Sequence, residues 1–126
     1  MLARFYKALA AITTAVSTTQ TGTAQTVKGS PHDDVNAANQ GFVAVFELTA
    51  AGGTSPTLDA EVQTSWDGTT WHTVASMTQL TGAGTQKEIK TIATLGPQVR
   101  SVVTPGGTAN PDVTGNVLLA SSGFIA

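Results

Sequence analysis

The sequence predicts an all-β chain that folds as a β-sandwich or jelly roll of about seven to eight short antiparallel strands. Three observations support this fold class. Apolar and polar residues alternate with a period of two in several short segments. Glycine, proline and asparagine separate these segments, as turns between strands require. Helical spacing of apolar residues occurs near the N-terminus, and the rest of the chain shows almost none.

The clearest strand pair is a hairpin over residues 58–74. In residues 58–65, Leu, Ala, Val and Thr alternate with Asp, Glu, Gln and Ser, which is the pattern of a half-buried strand. Asp67 and Gly68 follow, and glycine readily adopts the positive φ that a tight turn needs. The hairpin carries both tryptophans, so we expect it to anchor the core. With Trp71 in the core, Trp66 beside the turn is expected to be exposed.

The remaining strands are expected on either side of this hairpin. Residues 42–49 are strongly apolar, with apolar residues on both faces, and this predicts a central strand. Polar and glycine-rich stretches at residues 29–40 and 81–86 are expected to be loops. The other expected strands are residues 12–17, 23–28, 89–94, 99–104 and 113–120.

One internal similarity relates residues 52–62 to residues 106–117. Each segment begins with Gly-Gly-Thr, continues through a proline and enters an alternating strand. Two explanations remain open for this similarity. The segments are equivalent turns in the two halves of a sandwich, or they share turn chemistry by coincidence.

The N-terminal segment has two interpretations. Its apolar residues fall at helical spacing, which predicts a short helix over residues 1–11. Alternatively, the segment is an extended arm that enters a groove on a neighbour, because burying each aromatic side chain stabilises by on the order of 1.5–3 kcal/mol. In either case we expect residues 1–20 to be an arm and residues 21–126 to form the sandwich domain. The candidate interface residues are Leu2, Phe5, Tyr6 and Leu9 in this arm and Trp66 in the hairpin.

A basic start followed by an apolar stretch also resembles a short signal peptide. Arg4 and Lys7 precede residues 8–16, but Thr13 and Thr14 interrupt the apolar stretch. We therefore expect the N-terminus to be retained and ordered. The stretch is also shorter than the ~20 residues that a membrane-spanning helix needs. No membrane partner is predicted.

The composition favours a protein that packs against other proteins. Charged residues make up 11% of the chain, against roughly 25% in an ordinary soluble domain. Thr is the commonest residue and suits a pleated, half-solvated surface. The net charge of −2 leaves no basic surface for nucleic acid. The absence of cysteine from the sequence excludes disulfides, thiolate metal sites and thiol nucleophiles.

No motif in the chain predicts catalysis or metal binding. His32, Asp33 and Asp34 would need further ligands to hold Ca²⁺ or Zn²⁺, and a solvated loop or an N-cap explains them. Asp59 and Glu61 share one face of a strand, where exposed carboxylates are ordinary. The sequence has neither a Gly-x-Ser-x-Gly elbow nor a phosphate-binding loop. We predict a non-enzymatic protein with no catalytic residue, no cofactor and no metal site.

An exposed Trp66 has two candidate partners. Beside Asp67, Thr70 and His72, its ring would stack on a sugar and form a glycan-binding site. Alternatively, it fills a pocket on a neighbouring subunit, as aromatic anchors do at the centres of interfaces. The low surface charge favours the subunit contact.

Two segments carry a resemblance to a known family. Residues 62–86 contain a Ser-x-Asp-Gly-x-x-Trp hairpin, and residues 95–120 contain Val-Arg-x-x-Val-Thr followed by Gly-Gly-Thr and a proline. The matching residues are Ser65, Asp67, Gly68, Trp71, Val99, Arg100, Val103, Thr104, Gly106, Gly107, Thr108 and Pro111. Over roughly its last 85 residues the chain resembles small virion structural proteins of tailed bacteriophages.

This resemblance implies a β-sandwich with a structural role, and it brings no catalytic residues. Within the family we expect a capsid decoration (cement) protein, a homotrimer on the virion surface that clamps copies of the major capsid protein. A charge-poor sandwich with an apolar arm suits burial in a permanent assembly. The alternatives are a head-spike base, a neck or tail component, and a carbohydrate-binding module for host attachment.

Overall fold

The protein is an antiparallel β-sandwich, as the sequence predicts. A computed structural model describes residues 6–26 and 42–121 of the chain. Sheet A has the strand order β1-β10-β4-β8, and sheet B has the order β2-β9-β5-β6, with β3 beside β9 and β7 beside β5. The strands are β1 (Tyr6–Val16), β2 (Gln20–Thr21), β3 (Gln25–Thr26), β4 (Phe42–Ala51), β5 (Thr57–Ser65), β6 (His72–Ser76), β7 (Leu80–Thr81), β8 (Gly84–Ile92), β9 (Gln98–Gly106) and β10 (Asp112–Ser121).

The core lies between the two sheets and is built from the alternating residues of the central strands. In β4, Phe46 and Leu48 are fully buried, while Val45 and Thr49 on the other face are half-buried. β4 is central in sheet A, between β10 and β8, as its apolar sequence predicts. Val, Leu and Ala supply most of the core, and burying each large aliphatic side chain stabilises by about 1.5–3 kcal/mol.

The segment expected to be an N-terminal arm contributes a strand of the sandwich from Tyr6 onward. β1 pairs antiparallel with β10, so residues 6–11 are not helical. Leu9 is a core residue, 4% exposed, and not the interface residue expected from the sequence. The helical spacing of the apolar residues did not predict the structure correctly. Pairing with β10 gives the backbone N–H and C=O groups the hydrogen-bond partners that a helix would give them, and it also buries Leu9 in the core. The boundary expected after residue 20 therefore does not separate β1 from the sandwich.

A hydrogen bond also ties β1 to the opposite sheet. The buried Ser101 Oγ on β9 donates to the carbonyl oxygen of Leu9 (3.2 Å), and the amide of Gly22 donates to the carbonyl oxygen of Ser101 (2.8 Å). These bonds close one side of the sandwich between β1, β2 and β9. Leu2 and Phe5 lie outside the described residues, and Tyr6 is the first residue of β1, opposite Ala120.

The two segments with similar sequence occupy equivalent positions in the fold. One carries the chain from β4 in sheet A to β5 in sheet B, and the other carries it from β9 in sheet B to β10 in sheet A. Because β4 pairs with β10 and β5 with β9, the two crossovers lie side by side. Thr54 and Ala109 pair there: the amide of Thr54 donates to the Ala109 carbonyl (3.1 Å), and the amide of Ala109 donates to the Thr54 carbonyl (3.2 Å).

The other side of the sandwich ends at β8, which the sequence does not indicate clearly. The expected loop at residues 81–86 includes the start of this strand, which runs from Gly84 to Ile92. Glu88 and Lys90 of β8 lie opposite core residues of β4, so they are on the inner face of the sheet. Charged side chains on the inner face of an edge strand disfavour pairing with a further strand. Glu88 accepts hydrogen bonds from the amide (2.6 Å) and hydroxyl (2.7 Å) of Thr78, which join β8 to the β6–β7 connection.

Candidate functional site

The turn of the predicted hairpin forms as expected between β5 and β6. Gly68 has a φ of 84°, which glycine adopts without steric cost. Asp67 Oδ1 accepts hydrogen bonds from the amides of Thr70 (2.7 Å) and Thr69 (2.8 Å) and from Ser65 Oγ (3.1 Å). The amide donors at Thr70 and Thr69 hold the pKa of the Asp67 carboxyl well below its ordinary value, because they stabilise the charged form. The turn is therefore fixed by its own polar groups.

Trp71 does not enter the core, contrary to expectation. His72 pairs with Thr64, which faces the core, so Trp71 one residue earlier falls on the outer face of sheet B. There the Arg100 guanidinium lies over its ring, 4.2 Å from the centroid, and Arg100 Nε donates to Gln63 Oε1 (2.8 Å). This cation–π contact leaves Trp71 half-buried on the surface of the sheet.

Trp66 is exposed, as the sequence predicts, and its ring rests on a glycine. The side chain is 58% exposed. A β-carbon at Gly96 would lie 2.9 Å from Cδ2 and 3.0 Å from Cε2 of the Trp66 indole. These two carbons form the fusion bond in the middle of the indole, so Gly96 lies against one face of the ring. The His72 ring approaches at an interplanar angle of 64°, with a centroid distance of 6.3 Å.

The backbone under Trp66 is held in place by a buried hydroxyl. Thr64 Oγ1 accepts a hydrogen bond from the Gly96 amide (2.8 Å) and donates one to the Gln98 carbonyl (2.8 Å). Thr64 is fully buried, so the bond from the Gly96 amide is shielded from water. We call Trp66 and the Gly96 backbone beneath it the Trp66 ledge. The hydrogen bonds of Thr64 hold the backbone part of this ledge in place.

A network of polar side chains covers the outer face of sheet B beyond Arg100. Gln63 Nε2 and Thr73 Oγ1 each donate to the Glu61 carboxylate at 2.8 Å. Gln79 Nε2 donates to both carboxylate oxygens of Asp59 at 3.0 and 3.2 Å. Asp59 and Glu61 lie on one strand face, as expected, and line a shallow depression of about 320 Å³. Their lone pairs are partly used by amide and hydroxyl donors, as is usual for surface carboxylates on a sheet.

The outer face of sheet A has a different character. The strand register places Ala8, Leu118, Val45 and Ile89 opposite one another across β1, β10, β4 and β8. We call these four residues the apolar row. Ile89 is 68% exposed, and a shallow depression runs beside it and Val45. No local sequence pattern indicates this row, because its members come from strands that are distant in the chain.

The described residues contain neither a cluster of potential metal ligands nor a long apolar helix. Residues 6–26 and 42–121 contain no group of three or more His, Cys, Asp or Glu side chains that could hold a metal ion. The proposed loop cluster at His32, Asp33 and Asp34 lies outside them. The same part of the chain contains no helix that could span a membrane.

Comparison of the chain with protein-family models, with curated proteins and with solved structures finds no match. The class of protein is therefore defined by its own geometry, which is that of an antiparallel β-sandwich with two unlike outer faces.

Of the residues that sequence reasoning selected, the structure leaves Trp66 on the surface and places Leu9 in the core. Sequence reasoning missed Gly96 and Ile89, and the only local signal for Gly96 was that Gly96-Pro97 interrupts a strand.

Proposed function

We propose that the protein is a non-enzymatic structural component of a tailed-phage virion, a capsid decoration protein that binds the major capsid protein and copies of itself at the virion surface. The apolar row on sheet A is the observation that carries this proposal. An exposed Ile89 beside Val45 and Leu118 is costly in water and is stabilised when another protein covers it.

Two further features support a permanent assembly. The chain has few charged residues, so its surface carries few of the Lys and Glu side chains that keep free monomers apart. Next to Val45 and Ile89, Glu47 on β4 lies opposite Lys87 on β8, so opposite charges flank the apolar row. An apolar centre with a polar rim is typical of subunit interfaces. The resemblance of roughly the last 85 residues to phage virion proteins points in the same direction.

The test is attachment to capsids. Shells assembled from the major capsid protein of the same phage should co-sediment with the wild-type protein and fail to bind the Ile89→Lys variant. Thr104→Lys adds the same charge at an exposed position on the outer face of sheet B and serves as the matched control. Equal melting temperatures would show that both variants fold. Failure of the wild-type protein to co-sediment with the shells would contradict the proposal.

Light scattering in solution tests the expected homotrimer separately. A stable trimer at several concentrations fits a site of threefold symmetry on a capsid. Density at a head spike, neck or tail in images of the virion would favour those structural roles over capsid decoration. In that case the apolar row would still be the expected contact surface.

A further inference from the structure

We propose that the Trp66 ledge binds a neutral sugar ring, a pyranose unit of an oligosaccharide or polysaccharide. This function is separate from the virion role proposed above and uses a different surface. The proposal rests on the open ring face of Trp66, on the polar residues around it and on the fixed backbone beneath it.

The ring of Trp66 offers one open face. Gly96 lies against the opposite face, yet more than half of the side chain is exposed to solvent. A flat aromatic face carries partial negative charge from its π electrons. The C–H groups on one face of a pyranose carry partial positive charge and match such a surface in shape and polarity. A stacked sugar ring would thus cover the face that Gly96 leaves open.

The residues around Trp66 suit a sugar better than a protein subunit. Asp67, Thr69, Thr70 and His72 are polar and exposed. Aromatic anchors of protein interfaces instead lie at the centre of a desolvated patch ringed by other contacts. Among the described residues the other large exposed apolar side chain is Ile89, which lies on the outer face of sheet A. Trp66 is therefore an isolated aromatic in a polar setting, as in a site that must also bind hydroxyl groups.

The charges near the ledge favour a neutral ligand. The Asp67 carboxylate, next to Trp66 in the chain, keeps its negative charge and accepts three hydrogen bonds from within the turn. This carboxylate would repel a carboxylated or sulfated sugar. Because the hydrogen bonds within the turn already stabilise its charge, it does not require a bound cation. Thr69, Thr70 and His72 supply hydroxyl and imidazole groups that can exchange hydrogen bonds with sugar hydroxyls.

The ledge is also rigid, which lowers the entropic cost of binding. Thr64 fixes the Gly96 amide and the Gln98 carbonyl, and the ring lies flat on that backbone. A preformed surface does not have to order itself when the ligand arrives.

The experiment uses the full chain with Trp66 as its only tryptophan, the Trp71→Phe variant. Its fluorescence is followed during titration with neutral hexasaccharides of glucose and of N-acetylglucosamine, up to about 10 mM because single stacking sites bind weakly. We expect a saturable change in emission with at least one of these sugars. Isothermal titration of the wild-type protein should give the same affinity, and Trp66→Ala should weaken it by about tenfold or more.

Three results would overturn the proposal. One is the absence of a saturable response to every sugar in both titrations. Another is equal affinity of wild type and Trp66→Ala. The third is a wild-type oligomer that Trp66→Ala dissociates, because Trp66 would then be a subunit contact. Ile89→Lys should bind the sugar as wild type does, so loss of capsid attachment and loss of sugar binding are separable.

Discussion

The backbone of Gly96 packs against one face of the Trp66 indole, although the two residues lie far apart in the chain. A β-carbon at position 96 would meet Trp66 Cδ2 at 2.9 Å and the carbonyl oxygen of Ser65 at the same distance. Real β-carbons do not approach other atoms so closely, so only glycine lets the indole lie flat on the backbone. The exposed ring is thus held by a residue with no side chain.

The first prediction concerns this contact. Gly96→Ala should lower the free energy of unfolding by about 1–3 kcal/mol, because the added methyl group displaces the indole and crowds Ser65. Urea denaturation measures the loss. In a Trp66→Ala background the same substitution should cost less, since one of the two colliding groups is gone. An unchanged cost in that background would show that the indole does not press on Gly96.

The buried hydroxyl of Thr64 gives a second prediction. Thr64→Val keeps the shape but removes the acceptor of the Gly96 amide and the donor to the Gln98 carbonyl. We expect a loss of about 2–4 kcal/mol in the free energy of unfolding, because the Gly96 amide stays buried without this acceptor and the partly buried Gln98 carbonyl loses a donor. Thr49→Val is the matched control. Its hydroxyl bonds to that of Thr85 at the surface (2.9 Å), where water can replace the partner, and it should cost under about 1 kcal/mol.

The third prediction concerns a glycine inside a central strand. Gly115 in β10 has a φ of 131°, and a β-carbon there would collide with the carbonyl oxygen of Glu47 and lie 2.8 Å from Leu48 Cα on β4. Gly115→Ala should therefore cost about 3 kcal/mol or more, or prevent folding. Gly52→Ala, at a φ of 76° with open space around it, tests the backbone strain alone and should cost only about 1 kcal/mol. Equal losses would mean that the close approach of β10 to β4 is unimportant.

The fourth prediction is a pH dependence that arises at Glu88. Hydrogen bonds from the Thr78 hydroxyl and amide lower the pKa of the Glu88 carboxyl in the folded protein. A lowered folded pKa gives stability that is present above the unfolded pKa and is lost as the pH falls through the folded pKa. The melting temperature of wild type should therefore exceed that of Glu88→Gln at pH 7, and the difference should shrink below about pH 4.

Thr78→Val provides the graded control for this pH dependence. It removes the hydroxyl donor but keeps the amide donor, so the pKa of Glu88 should rise part of the way to its ordinary value. NMR titration of the Glu88 side chain reads this shift directly. A difference between wild type and Glu88→Gln that stays constant from neutral to acidic pH would show that the Thr78 contact does not stabilise the charged carboxylate.

The sequence by itself determined the features that repeat over a few residues. The period-two pattern located β4, β5, β9 and β10 because each strand buries one face against the core. Asp67-Gly68 located the hairpin because few other residues fit a turn with positive φ. Trp66 is exposed beside that turn, as expected, although the premise that Trp71 fills the core was wrong. These are local properties of the chain.

Only the tertiary structure decided which distant residues meet. The apolar pattern near the N-terminus fits a helix as well as a strand, and the pairing of β1 with β10 selected the strand and buried Leu9. The sequence located β8 only in part: a strand was expected from residue 89, whereas residues 84–86, which are glycine and polar residues, were expected to be a loop. These residues join the strand because β4 offers their backbone groups partners. Strand order and register placed Gly96 under Trp66 and Arg100 over Trp71. Such contacts depend on pairing between segments tens of residues apart, which no local pattern records.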